Sequence, residues 1–251
     1  MPPSSGIRLQ LVTTTEEFHR LEPYWNPLLQ RSGSNSVFLS FEYLTTWWET
    51  YGSNFKLWIL AAWKDNDLAG LAPLAIGHGH GPRSWLRHLA FLGFHGNELS
   101  EHLDFIVAPE LGEEVIPQFV RFVRQEMRHE WDLLYLSLVP SESSHLASLL
   151  PEASAHGMRG GILDTVASPY LCLPGSWETL LESKSKNFRK QFNNLRNRLH
   201  KQHRVEILQA GEDLGIDDAF DVLLRLNQQR WGAEGKAFTT QKTRAFHRAL
   251  G

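Results

Sequence analysis

Hydrophobic and polar positions predict strands and helices in alternation over about the first 170 residues. The two longest apolar runs, Leu57–Trp63 and Leu68–Ile76, are separated by a polar tetrapeptide and predict an antiparallel hairpin. The other expected strands are Ile7–Val12, Trp85–Leu92, Asp104–Val107, Asp132–Leu138 and Val166–Leu173. The expected helices are one that begins at Thr13–Thr15 and ends near Leu29, a short aromatic one capped by Ser40, Gly112–Glu130 and Ser141–Leu150.

The pattern changes after Pro174-Gly175. A short helix capped by Ser176, a basic helix over residues 185–203, one strand, Val205–Leu208, and two further helices, Asp217–Arg230 and Thr240–Leu250, are expected there. One strand cannot cover several helices, and the apolar face of Thr240–Leu250 has no obvious partner. We therefore predict an α/β fold (α+β, with a mixed sheet) and two domains, residues 1–173 and the first part of a second domain, residues 174–251.

The basic helix is the most distinctive segment of the chain. Ser183–Arg204 contains eight of the 25 Lys and Arg residues and none of the 28 Asp and Glu residues. Phe188, Phe192, Leu195 and Leu199 recur at i, i+4, i+7 and i+11, within roughly 60° of one another on a helix. The pattern predicts a helix that docks by a narrow apolar stripe. Two interpretations of its cations are open: they bind an anionic ligand such as phosphate, carboxylate or nucleic acid, or they form a solvated surface.

Composition narrows the class of protein. With 42% hydrophobic and 21% charged residues, the chain has enough apolar material for a substantial core and is not disordered. The single cysteine, Cys172, excludes an internal disulfide and fits a reducing compartment, and its apolar context predicts a buried strand rather than a nucleophile. We find neither a signal-peptide pattern nor an apolar run long enough to span a bilayer, so we expect a soluble, cytoplasmic protein.

The densest group of chemically competent side chains is the loop His95–Asp104. It supplies carboxylates and imidazoles where a strand leaves the sheet, and these groups can serve as a general base. The residues are His95, Glu98, Glu101, His102 and Asp104. Three interpretations remain open: a solvated loop, a substrate or catalytic contact, and, least favoured because no Cys or HExxH spacing accompanies the His pair, a metal site.

A second candidate lies near the end of the Asp217–Arg230 helix. Arg230 and Trp231 form a cationic and aromatic pair that suits an anionic ligand. The simpler interpretation is a cation that complements the helix dipole, a packed Trp231, and Gly232 as the C-terminal cap.

Several stretches together resemble a known family. They are Ser36–Trp48, Leu71–Leu74 followed by Arg87–Gly93 and the acidic loop ending at Asp104, Ser185–Lys190, Arg198-Leu-His, Arg230-Trp and Phe246-His-Arg. These stretches are similar to the acetyltransferase-like family associated with the bacterial cellulose-biosynthesis protein CelD. That family is a branch of the GNAT superfamily and is related in architecture to the Fem-type peptidyltransferases.

The resemblance implies two GNAT-like domains in tandem and an N-acyltransferase. The acyl group would pass from acetyl-CoA, another acyl-CoA or an acyl carrier protein to an amine on a saccharide or amino acid. A link to polysaccharide or cell-envelope biosynthesis is implied as well. The implied reaction uses no metal cofactor. For this reaction the candidate catalytic residues are Glu101 and Asp104, and the candidate substrate-binding residues are Lys186, Arg189, Arg230 and Trp231.

The chain departs from the family pattern at the donor site. It contains no Arg/Gln-x-x-Gly-x-Gly/Ala loop between a strand and a helix. The resemblance would place that loop beyond Gly251, so we expect a truncated member without the complete donor site. The alternatives are a nucleic-acid-binding module that uses Ser183–Arg204, a Fem-like transferase that uses aminoacyl-tRNA, and an inactive scaffold. The net charge of −3 disfavours the nucleic-acid module.

Overall fold

The computed structural model describes residues 6–79, 84–94, 99–232 and 238–251. The chain divides into two compact units, which are described separately. The first consists of Met1–Gly161 together with Lys236–Gly251, and the second of Ile162–Gly235. The assignment of residues 1–173 and 174–251 to two GNAT-like domains stays a prediction.

Unit 1 is built on a mixed sheet, as the sequence predicts. Its strands within the described residues are β1 (Ile7–Val12), β2 (Lys56–Lys64), β3 (Asp67–His78), β4 (Arg87–Phe91), β5 (Ile106–Val107) and β6 (Leu133–Tyr135). The order is β1-β2-β3-β4-β6, and β5 pairs with β3. All pairings are antiparallel except that of β4 with β6, which is parallel. The predicted hairpin is confirmed as β2 and β3, and Asp65 in its turn has a φ of 55°.

Strands β4 and β5 lie along the same edge of β3 and behave as one interrupted strand. Phe91 is opposite Leu74, and Ile106 resumes the antiparallel ladder opposite Leu71. Between the two pieces, the described residues 92–94 and 99–105 lie outside the sheet. The acidic loop is therefore an insertion between β4 and β5, both of which pair with β3.

Short helices and caps account for the rest of the regular structure. The helices are α1 (Thr15–His19), α2 (Glu22–Arg31), α3 (Phe41–Tyr51), α4 (Gly112–Gln125), α5 (Leu146–Ala155), α6 (Trp177–Glu182), α7 (Lys186–Gln202), α8 (Ile216–Trp231) and α9 (Gln241–Leu250). Thr14 caps α1 with Glu17 in a capping box, and Ser40 caps α3, as expected. The single helix predicted up to Leu29 is instead two, because Pro23 starts a new helix after Leu21.

Helices cover both faces of the sheet. On one face α4 approaches β3 so closely that a Cβ on Gly70 would come within 2.7 Å of the Val115 side chain. On the other face Tyr24 of α2 packs edge-on against Trp63 of β2, with ring centroids 5.2 Å apart. The apolar core of unit 1 is thus enclosed between α4 and α5 on one side and α1 to α3 on the other.

Helix α9 belongs to unit 1, which corrects the expectation that its apolar face lacks a partner. Phe246 is fully buried, and its ring lies 5.5 Å from that of Tyr43 and 5.6 Å from that of Tyr51. The sequence could not show this contact because α3 lies about 200 residues earlier in the chain.

Unit 2 contains α6, α7 and α8 and no strand among its described residues. The basic helix is confirmed, with Ser185 as its N-cap and His203 as its C-cap. The predicted strands Val166–Leu173 and Val205–Leu208 are wrong: both segments lack regular secondary structure and are exposed, with Val166 at 86% and Ile207 at 90%. Alternating apolar residues form a strand only where a neighbour completes the hydrogen-bond ladder, and the described residues offer none.

Two further properties follow from this arrangement. Cys172 is exposed, so its predicted burial in a strand is wrong. Among the described residues no helix is both long and apolar enough to cross a bilayer.

Candidate functional site

Asp104 lies at the point where the inserted loop rejoins the sheet, just before β5. It is only 3% exposed. Its Oδ2 accepts a 2.9 Å hydrogen bond from Ser34 Oγ, and its Oδ1 accepts a 2.8 Å bond from the Phe105 N–H. Both carboxylate oxygens are therefore satisfied by the protein, as a buried charge requires.

His145, which the sequence analysis missed, lies next to Asp104. The imidazole is buried at the start of α5, edge-on to the Phe105 ring at 6.3 Å. Burial lowers the pKa of His145 below 6.5, while the negative charge of Asp104 opposes that shift. His145 is consequently neutral at neutral pH. Only the tertiary fold brings it to Asp104, because 41 residues separate the two in the sequence.

Glu101 is in a different environment from Asp104. Its side chain is exposed and has neither a hydrogen bond nor an ion pair with the part of the chain that the structure describes. Between the two carboxylates, His102 has a left-handed backbone with a φ of 50°. The inserted loop thus presents one carboxylate to solvent and buries the other. His95 and Glu98 lie outside the described residues.

The base of the inserted loop is held by α3. Tyr43 Oη donates a 2.6 Å hydrogen bond to the Leu99 carbonyl and lies 3.0 Å from Ser100 Oγ. Ser100 Oγ in turn donates to the Gly93 carbonyl at 2.7 Å. Burial raises the pKa of Tyr43, so its phenol stays protonated and available as a donor. These bonds join the beginning and the middle of the inserted loop to one rigid helix.

The helix that follows β5 is a poor place for an anionic ligand. A helix start is the usual anion site after a strand, because unpaired N–H groups and the dipole favour negative charge there. Around the start of α4 the chain instead places Glu110, Glu113 and Glu114. These carboxylates repel phosphate groups, so in unit 1 this position does not suit the pyrophosphate of CoA.

The cationic candidates lie in unit 2. Lys186 is exposed and Arg189 half-buried in the first turn of α7. The Arg230 guanidinium lies 4.9 Å above the ring of Trp231 at the end of α8. Gly232 caps α8, as the simpler interpretation predicts, but Trp231 is 51% exposed rather than packed. The pair therefore offers a stacked cation and aromatic ring to solvent.

No set of three or more His, Cys, Asp or Glu side chains among the described residues could hold a metal ion. Asp104 and His145 lie beside the Ser34 hydroxyl and the Phe105 N–H, which both donate hydrogen bonds to the Asp104 carboxylate. This cluster is suited to holding one loop conformation.

Comparisons with known proteins give a limited result. No protein-family model and no curated protein sequence matches the chain. One similar solved structure is an aminoglycoside acetyltransferase from an uncultured soil metagenomic sample, determined with trehalose. It has 11% identity and a TM-score of 0.41, covering 68% of this chain and 99% of that one. The same enzyme with sisomicin has 12% identity and a TM-score of 0.37, covering 67% and 97%.

Another similar structure is the ribosomal-protein-alanine N-acetyltransferase from Brucella melitensis biovar Abortus 2308. It has 14% identity and a TM-score of 0.37, covering 65% of this chain and 99% of that one. Superpositions of this quality do not establish a family, so the function proposed below rests on the residues of this chain.

Proposed function

We propose that this protein is a GNAT-type N-acyltransferase that transfers an acyl group from acyl-CoA, or from an acyl carrier protein, to an amine. The observation that carries the proposal is the interruption between β4 and β5. β4 pairs in parallel with β6 only from His88 to Ala90, and the chain then leaves the sheet to form the loop that bears Glu101. Strands that stop pairing leave backbone N–H groups for a thioester carbonyl, and the adjacent loop supplies a carboxylate.

The proposed chemistry assigns different roles to the two carboxylates. Glu101, which is exposed, takes the proton of the attacking amine directly or through one water. The amine nitrogen forms a bond to the thioester carbonyl carbon, the carbon–sulfur bond breaks, and the released thiolate takes up a proton. Asp104 is buried with both oxygens occupied, and we assign it a positioning role, since its bond to Ser34 fixes the inserted loop.

The proposed substrate-binding residues of unit 2 are cationic. We propose that Lys186 and Arg189, in the first turn of α7, contact an anionic group of a substrate, and that the N-terminal dipole of this helix adds to the attraction. Arg230 and Trp231 remain proposed substrate contacts, since the exposed ring can stack on a flat group while the guanidinium binds an anion.

The function is tested by measuring thiol release from acetyl-CoA. The full 251-residue chain is incubated with acetyl-CoA and, in turn, glucosamine, lysine and a polyamine, and the products are identified by mass spectrometry. The proposal predicts amine-dependent release of CoA and an N-acetylated product. Absence of release with every amine and with longer acyl-CoA donors would overturn it.

Substitutions then test the assigned base. Glu101→Gln is expected to lower kcat by about 100-fold or more, the usual size of a general-base effect. Glu142→Gln, which removes another exposed carboxylate, serves as the matched control and should leave kcat unchanged. Equal turnover in Glu101→Gln and the wild type would show that Glu101 is not the base.

A further inference from the structure

The apolar stripe of α7 is uncovered. Phe188, Leu195 and Leu199 are between 47% and 49% exposed, although their spacing is that of a docking face. Phe192 in the same stripe packs against Trp177 of α6, with ring centroids 5.4 Å apart, and Trp177 is itself half-exposed. The result is a continuous apolar ridge along the 17-residue helix.

Cations flank this ridge on both sides. At about 100° per residue, Arg189 and Arg196 lie roughly 70–90° from the centre of the stripe on one side, and Arg198 lies about 90° away on the other. The Arg196 guanidinium lies 5.9 Å above the Phe192 ring, so the basic border reaches the apolar residues. The helix has no acidic residue. Its lysines lie on the side opposite the ridge; they are Lys186, Lys190 and Lys201.

We propose that α7, together with Trp177, binds the surface of an anionic lipid bilayer and lies in the plane of the interface. Phe and Leu side chains would enter the boundary between headgroups and acyl chains, where Arg196 and Arg198 reach lipid phosphates. A helix of this length with six charged side chains lies on a membrane rather than across it. This inference concerns where the protein acts and does not depend on the acyl-transfer proposal.

Charge and exposure together favour this partner over nucleic acid. A nucleic acid would neutralise the cations but leave the ridge in water, because its phosphates offer nothing apolar to Phe188 or Leu195. An anionic bilayer binds both the apolar ridge and the cations of the same surface. Each basic residue near the membrane raises the affinity about fivefold.

The test is co-sedimentation of the full chain with lipid vesicles. Phosphatidylcholine vesicles are compared with phosphatidylcholine vesicles that contain phosphatidylglycerol, at about 0.1 M and about 1 M salt. The proposal predicts binding to the anionic vesicles that weakens at high salt, and little binding to phosphatidylcholine alone. Absence of binding to anionic vesicles at low salt would overturn it, as would equal binding to both compositions.

Paired variants separate the ridge from the charges. Phe188→Ser with Leu195→Ser is expected to lower the vesicle affinity about tenfold or more, and Arg196→Gln with Arg198→Gln by a similar factor. The matched controls are Leu163→Ser with Ile207→Ser, which removes exposed apolar residues outside α7, and Arg121→Gln with Arg128→Gln in unit 1. Both controls should bind vesicles as the wild type does.

Each remaining outcome is decisive. Unchanged binding in the ridge variant would show purely electrostatic attraction and overturn docking by the ridge. A loss as large in the apolar control would show that any exposed apolar residue suffices. Tight binding of a single-stranded oligonucleotide, together with no binding to vesicles, would assign the helix to nucleic acid instead.

Two controls accompany these measurements. Circular dichroism checks that α7 stays helical. Because the variants leave Glu101, Lys186 and Arg189 intact, acetyl-CoA turnover reports separately on the proposed function.

Discussion

Ser34 and Asp104, which are 70 residues apart in the sequence, are joined by a 2.9 Å hydrogen bond between the hydroxyl and a nearly inaccessible carboxylate. The bond connects the segment after α2 to the inserted loop just before β5. It is therefore one of the contacts that determine where the loop carrying Glu101 lies. A substitution at either residue should affect both stability and activity.

Removing this bond should cost a measurable amount of stability. Ser34→Ala is expected to lower the free energy of unfolding by about 1–3 kcal/mol, because it leaves one buried carboxylate oxygen without its partner. Asp104→Asn should cost a similar amount. In a double-mutant cycle measured by urea unfolding, we expect the two effects to be coupled by about 1 kcal/mol. Strictly additive effects would mean that the hydrogen bond does not contribute.

Stability should fall as the pH drops below neutral because of His145. Burial holds the pKa of the His145 imidazole in the folded chain below 6.5. At pH values between this lowered pKa and 6.5, the unfolded chain therefore binds a proton that the folded chain does not. The contribution is fully present above about pH 7 and is lost as the pH falls.

Unfolding in urea at a series of pH values checks this prediction. His145→Gln should show a shallower loss of stability between about pH 7 and pH 5 than the wild type. His129→Gln, at an exposed position, is the matched control and should keep the wild-type slope. If His145→Gln retains the full slope, the folded state does not hold that imidazole neutral.

Helix α9 should behave as part of the core of unit 1. Phe246→Ala is expected to lower the free energy of unfolding by about 3–5 kcal/mol, because it opens a cavity between the rings of Tyr43 and Tyr51. Leu250→Ala on the same helix is 36% exposed in the wild type and should cost less than about 1 kcal/mol. Equal, small losses for both variants would mean that α9 does not pack on α3.

Gly93 should resist substitution at the start of the inserted loop. Its φ is 94°, and an added Cβ would lie 2.9 Å from Ser100 Oγ. Gly93→Ala therefore combines backbone strain with displacement of the Ser100 hydroxyl, and we expect a loss of about 1–3 kcal/mol. Gly112→Ala, where a Cβ would meet nothing within 4 Å, should be neutral or slightly stabilising. A neutral Gly93→Ala would show that the loop adjusts freely.

Local signals in the sequence explain which parts of the fold could be predicted. The hairpin of β2 and β3 and the caps at Thr14, Ser40 and Ser176 depend on residues close together in the chain, and all are confirmed. The strand predicted at Val166–Leu173 has the right alternation, but a strand also requires a neighbour, which a local pattern cannot supply.

The candidate site illustrates the same limit. The sequence singled out the acidic loop, but it gave Glu101 and Asp104 the same role, because both are carboxylates in a polar segment. Their different burial follows from the left-handed turn at His102 and from Ser34 and His145, which approach from distant segments.

The central claim, that the chain is an acyltransferase, is tested most directly by thermal unfolding with and without acetyl-CoA. A ligand at about 100 times its dissociation constant adds about 2.7 kcal/mol, which raises Tm by several degrees. We expect that rise in the wild type and in Glu101→Gln. An unchanged Tm in the wild type with millimolar acetyl-CoA and with a longer acyl-CoA would contradict the claim that the chain binds an acyl donor.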